Sequence, residues 1–229
     1  MEGIAAKAVK ANNVPLLMTA RGENRFFATF ALELLRTAAA TGSVDQALEA
    51  FGTYLSEQAD VAHQFGIPFD ILIAGWSESR GPFHVHTCEP RAAQALGCEP
   101  WILREIPEFW SGGNFDDEEF YEAGFFVDMF DDRLDYYGAK LMDAFRKKPF
   151  FRDGSNVPLH GIGGQLVKSV VKADGVDQRV IGTWPDYLGE KIDPAAQLSM
   201  RMTESGFSLF GLCERDERDK PGNGTECDR

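Results

Sequence analysis

Between Phe69 and Cys88 the chain reads FDILIAGW, then SESRGP, then FHVHTC: two dense apolar segments of strand length joined by a polar, glycine-bearing turn. Such a pair folds as an antiparallel β-hairpin, and a hairpin this apolar must bury a face against another layer. The residues before it supply that layer. In Glu23 to Ala40, Phe27, Phe30, Ala31, Leu34 and Leu35 recur at helical spacing, and Gly42 ends the pattern. Ser43, with Gln46 three residues on, has the form of a capping box. Val44, Ala47, Leu48, Phe51 and Leu55 then carry a second apolar stripe toward Phe65, closed by Gly66. Val14 to Ala20, VPLLMTA, is rich enough for a buried strand whose first residues Pro15 places at an edge.

Downstream, Trp101 to Ile106 reads as one more strand and Ser111 to Asn114 as a glycine loop. Asp116, Asp117, Glu118 and Glu119 cluster where a helix N-terminus favours negative charge. Val127, Phe130, Leu134, Leu141, Met142 and Phe145 predict a helix over Val127 to Lys147, stopped by Pro149. Gln165 to Val171 and Gln178 to Trp184 flank Ala173-Asp174-Gly175, a second hairpin with a strong turn signal. Pro194 to Leu212 reads as a weakly amphipathic last helix, and residues 214–229 hold no large apolar side chain, so they are expected to be a solvated tail. Hairpins with helices inserted in blocks describe a layered α+β domain over residues 1–213, not a doubly wound α/β one.

Charge and cysteine usage narrow the function classes. A formal charge of −13 repels nucleic acid and anionic membrane surfaces alike. No apolar run approaches the roughly 20 residues that cross a bilayer, and MEGIAAK lacks the apolar core of a secretory signal, so a cytoplasmic location is expected. Cys88, Cys98, Cys213 and Cys227 form no CxxC pair, which fits neither a disulfide framework nor a zinc knuckle. Most are expected to be small buried hydrophobes, with Cys227 a free thiol in the tail. His84, His86 and Cys88 alternate along one strand and so share a face, a geometry open to a transition metal. No fourth ligand is indicated, and the polar face of a hairpin accounts for them, so no metal and no cofactor is expected. The run Asp116 to Glu119 lacks the alternation and glycine of a calcium loop, and no phosphate loop or dinucleotide fingerprint is present.

Four passages, taken in order, carry a likeness to a known family: Lys7 a strand's length ahead of Thr19-Ala20-Arg21-Gly22; the hairpin Phe69 to Val85, reached after two helices; the loop Ser111-Gly112-Gly113-Asn114-Phe115; and Gly163-Gly164-Gln165 leading into the second hairpin. Together they resemble the N-terminal-nucleophile hydrolases of the proteasome β-subunit type, including the bacterial proteasome-like peptidase HslV, over Lys7 to Trp184. The resemblance implies a layered αββα sandwich of mainly antiparallel sheets, a homo-oligomer, and hydrolysis of peptide or other amide bonds. It implies roles for Lys7 as the catalytic lysine, for the backbone N–H of Gly22 at the oxyanion hole, and for Ser111 as support of the site, although Trp110 stands where the family's loop has its first glycine.

One departure bears on catalysis. In that family a Thr, Ser or Cys is itself the first residue of the mature chain and its α-amine is the base. Between Met1 and Lys7 no such residue occurs. Two strands and the nucleophile are therefore expected ahead of Met1, or else the scaffold is a non-catalytic structural or assembly protein, possibly phage-derived. A fold of this type lacking those strands is expected to leave Val14 to Ala20 at an exposed edge, a template for pairing with a neighbour.

Overall fold

In the computed structural model of this chain, residues 8–22, 24–65, 69–106, 116–149, 156–186, 192–194 and 201–202 are described. They fall into two units, residues 1–112 with 169–178, and residues 113–168 with 179–229.

The first unit runs β1 (Ala8–Lys10), β2 (Leu16–Gly22), α1 (Asn24–Thr41), α2 (Val44–Phe65), β3 (Phe69–Ser77), β4 (Gly81–Cys88), α3 (Pro90–Leu96) and β5 (Arg104–Glu105). Its five strands form one antiparallel sheet in the order β1-β2-β3-β4-β5. The two helical stripes read from the sequence are the core: Phe27, Phe30, Ala31 and Leu34 of α1 and Val44, Ala47, Phe51 and Leu55 of α2 are buried. They form one cluster with Leu16 and Met18 of β2, Ile71 and Ile73 of β3 and Val85 of β4. Because strand side chains alternate, one face of the hairpin meets the helices and the other carries Asp70, His86 and Cys88.

Three expectations change. The segment Val14 to Ala20 is not an exposed edge: β2 is paired on both sides, with β1 from Ala8↔Thr19 to Lys10↔Leu17 and with β3 from Leu16↔Gly75 to Gly22↔Phe69. Only Arg104 and Glu105 of the expected strand Trp101 to Ile106 pair, because Trp101 takes a left-handed conformation (φ 65°). A helix, α3, lies where none was expected, capped by Glu89, whose carboxylate accepts from the N–H of Arg91 and Ala92, with Pro90 in its first turn. Gly97 (φ 63°) ends it in a conformation that glycine adopts without strain.

The start of α2 shows how the hairpin and helix are tied. Ser43 Oγ accepts from Gln46 N–H at 3.3 Å, as the capping box predicts. Glu78, in the β3–β4 turn, accepts from Val44 N–H at 2.8 Å and Asp45 N–H at 3.0 Å, and the Asp45 carboxylate accepts in return from Ser79 N–H at 3.1 Å.

The second unit contains α4 (Asp117–Glu122), α5 (Met129–Lys147), parts of the hairpin β6 (Gln165–Lys172) and β7 (Gly175–Thr183), and β8 (Arg201–Met202); the hairpin tip belongs to the first unit. The sheet order is β6-β7-β8. The acidic run does start a helix: Asp116 and Glu119 form a reciprocal capping box. Phe130 stacks on Phe120 and on Phe125, which lie tilted against each other. Val127 and Leu134, expected on the buried stripe of α5, are exposed, because the helix starts at Met129 and breaks at Arg133 (φ −135°, ψ 42°), so residues on either side no longer share a face. Within the expected last helix, Arg201 and Met202 are instead a strand paired with Thr183 and Gly182: an available sheet edge outweighs a weak helical pattern. The remainder of that segment and residues 214–229 lie outside the described residues.

A buried ion pair fixes the base of the second hairpin. Arg146, 2% exposed, makes two hydrogen bonds with the Asp186 carboxylate and a third, at 2.6 Å, to the carbonyl of Ile162. Asp186 also accepts from Gly164 N–H at 2.8 Å. A Cβ at Gly163 would run into the Asp186 carboxylate and lie 3.0 Å from Arg146 Nη1, so this position requires glycine. Among the described residues no helix is long and apolar enough to cross a membrane.

Two outcomes are expected. Asp186→Ala leaves a guanidinium buried without its counter-charge and lowers stability by about 3–5 kcal/mol in denaturant unfolding; an unchanged midpoint contradicts the role assigned to the pair. Glu78→Ala costs about 1 kcal/mol as a lost cap. Burial opposes ionisation of Glu78, but the N–H groups of Asp45 and Val44 outweigh it and hold the carboxyl below its ordinary 4.5. Its contribution is therefore complete above pH 4.5 and lost as pH falls below it, so the variant's deficit narrows in acid.

Candidate functional site

Of the three residues that the resemblance assigns to catalysis, only the backbone of Gly22 is among the described residues. Lys7 and Ser111 lie outside the described residues, as does the rest of the loop 111–115. The backbone of Gly22 is described: it closes β2, pairs with Phe69, and stands two residues before α1 begins.

A different group of chemistry-bearing side chains converges on the hairpin. Asp70 and Cys88 sit directly opposite each other in the β3–β4 register, and His86, facing Leu72, is two residues along on the same face. The hairpin turn fixes this placement, since a slip of one residue would turn all three to the helical core. All are buried: His86 is 0% exposed, Cys88 1% and Asp70 5%. The polar face of the hairpin expected for these residues is thus a buried layer, and Cys88 is buried as most of the cysteines are expected to be. One ligand atom from each of Asp70, His86 and Cys88 lies within 4.8 Å of the others.

The surroundings orient the group. His86 Nε2 is 3.6 Å from Asp70 Oδ1, and Arg104 of β5, in register with His86, donates from Nη2 to His86 Nδ1 at 3.4 Å. Arg104 Nε is buried with no hydrogen-bond partner among the described residues. The chain returns to the cluster through α3: Cys98 N–H donates to the carbonyl of Ala93 at 2.9 Å, and Trp101 N–H donates to the carbonyl of Cys88 at 3.1 Å. Cys98, half-buried, is thereby a near neighbour of Cys88. Burial first, then the neighbouring Cys98 and Asp70, push the Cys88 thiol up to about 12, so at neutral pH it is a protonated thiol. His84, on the same strand face, is outside this group.

The group contains an imidazole, a thiol and a carboxylate with a cation beside them, and a second thiol, Cys98, lies near it outside the 4.8 Å set. It has the donor set of a transition-metal site and lacks the exposed, low-pKa thiol of a nucleophile. The strand alternation of His86 and Cys88 was visible in the sequence. Asp70 was not singled out, although counting back through the turn places it across from Cys88. Cys98 and Arg104 approach only through the unexpected α3 and the short β5.

A comparison with known protein families finds none that matches this chain, and none of the curated proteins matches it either.

The environment of the two thiols has a direct consequence. In native protein at pH 8, iodoacetamide is expected to modify Cys98 while Cys88 stays unmodified until the chain is denatured, as read by mass mapping of the peptides. Labelling of native Cys88 at the rate of Cys98 contradicts the burial described.

Proposed function

We propose that this chain is an N-terminal-nucleophile hydrolase-type protein of the proteasome β kind, built on a layered αββα sandwich and acting on peptide or other amide bonds. The observation that supports this reading is the way the first sheet is assembled. The strand that ends at Gly22 leads into two consecutive helices, and the strand that follows them lies directly beside it and continues into a hairpin. The resemblance implies this succession at these residues.

On this reading Lys7 assists proton transfer at a Thr, Ser or Cys that forms the amino terminus of the mature chain. The Gly22 N–H stabilises the oxyanion, and Ser111 hydrogen-bonds the α-amine. The test is turnover of fluorogenic peptide amides by protein isolated from its native source, with variants made at the same locus. Lys7→Ala is expected to lower kcat/KM by about 10²-fold or more, while Lys172→Ala, an exposed residue paired with Asp177, leaves it unchanged. Equal turnover by Lys7→Ala contradicts the assignment.

A non-catalytic assembly subunit on the same scaffold is a second reading, favoured by large apolar side chains left exposed. Leu32 on α1 is 69% exposed in the first unit, as are, to lesser degrees, Tyr121, Phe126, Val127 and Leu134 in the second. It requires a homo-oligomer. Light scattering that reports a monomer at micromolar concentration counts against it.

A further inference from the structure

We propose that Asp70, His86 and Cys88, with Cys98 as the fourth donor, form a binding site for a zinc ion that staples β3, β4 and the turn after α3 together. The proposal rests on the geometry of the first unit alone and stands apart from the hydrolase reading.

Three ligand atoms of different chemistry already lie within 4.8 Å of one another. A tetrahedral zinc with bonds of roughly 2.0–2.3 Å separates its ligands by somewhat less than that, so an inward movement of the order of 1 Å suffices for these three, and Cys98, outside the set, moves further to complete the shell. All three are on strands paired in a fixed register, Asp70 facing Cys88 and His86 facing Leu72, which sets their approach before any metal arrives. The third, His86, turns Nε2 toward Asp70. The fourth position falls to Cys98, because the Trp101-to-Cys88 backbone bond closes the segment after α3 back onto the end of β4.

The donor types select the ion. Thiolates and imidazole with one carboxylate suit zinc, whereas calcium and magnesium take oxygen ligands. Binding replaces the thiol protons of Cys88 and Cys98 by the metal and releases them to solvent. Two thiolates, a carboxylate and a neutral imidazole around a divalent ion sum to one negative charge, which the Arg104 guanidinium beside the site offsets. A metal on Nε2 leaves the ring proton on Nδ1, so the long 3.4 Å contact from Arg104 to that nitrogen is exchanged on binding, not retained. With three of its four donors almost fully buried and no open position, the site has the character of a structural zinc, not a catalytic one.

The experiment loads the full chain with zinc or cobalt(II) alone, removes excess ion by gel filtration, and reads metal content and the cobalt absorption spectrum. One equivalent per chain is expected, with thiolate-to-cobalt charge-transfer bands and the d–d intensity of tetrahedral cobalt. Zinc is expected to raise the unfolding temperature and a chelator to reverse it. Cys98→Ser, at a half-buried position, weakens binding by 10-fold or more, His86→Gln and Cys88→Ser abolish the stoichiometric binding, and His84→Ala leaves it unaltered. The cobalt spectrum of the unmodified protein decides the matter even where a buried variant fails to fold. Failure to retain zinc, an octahedral cobalt spectrum without charge transfer, or loss of binding in His84→Ala with retention in Cys98→Ser overturns the proposal.

Discussion

The antiparallel pairing of β2 with β3, continuous from Leu16↔Gly75 to Gly22↔Phe69, is the constraint on which the first unit depends. The two strands are separated in sequence by α1 and α2, so their pairing closes a long loop and forces both helices to lie over one face of the sheet. The register then decides which side chains meet those helices. Ile71, Ile73 and Val85 join Phe30, Phe51 and Leu55 in the core, and Asp70, His86 and Cys88 are turned to the opposite face. A slip of one residue would exchange the two sets and drive a carboxylate into the aromatic core, a cost that makes the register self-enforcing.

Placing polar groups in a buried layer requires that each be answered. In the second unit the answer is direct: Arg146 meets the Asp186 carboxylate and the Ile162 carbonyl, and Asp186 accepts a backbone N–H besides. On the hairpin the arrangement is looser, with contacts of 3.4 and 3.6 Å between Arg104, His86 and Asp70 and a protonated thiol at Cys88. Hydrogen bonds of that length are weak. A cluster that is buried and rich in metal-binding donors is the arrangement that an ion of the right size would tighten. The exposed pair of Glu78 and Asp45 at the turn acts differently, joining the hairpin tip to the start of α2 so that the open end of the hairpin, where Asp70 and Cys88 lie, is held from the other end.

Much of this was written plainly in the sequence where periodicity and packing agree. The stripes Phe27–Leu34 and Val44–Leu55 and the first hairpin are dominated by the burial of apolar side chains, the second hairpin by its Asp174-Gly175 turn, and all stand where the sequence places them. The misreadings share a different cause. Trp101 looks like a strand residue, yet its backbone must turn back so that its N–H can reach Cys88, a bond no local pattern announces. Residues 201 and 202 took their state from a sheet edge supplied by β7. Helix α3 is seven residues long and begins with a Glu-Pro pair, too short for a periodic signal to stand out. The site was half legible: alternation exposed His86 and Cys88, while Asp70, Cys98 and Arg104 arrive through strand register and a loop closure that spacing alone does not encode.

The sheet face opposite the helices brings Asp70, His86 and Cys88 within 4.8 Å of one another, and the zinc site proposed there awaits its ion. X-ray absorption at the zinc edge of the zinc-loaded full chain tests it most directly, because it counts the atoms bound to the ion. A four-coordinate shell of two sulfurs at ~2.3 Å and two lighter atoms at ~2.0–2.1 Å is expected. A shell of five or six oxygen and nitrogen atoms with no sulfur would contradict it.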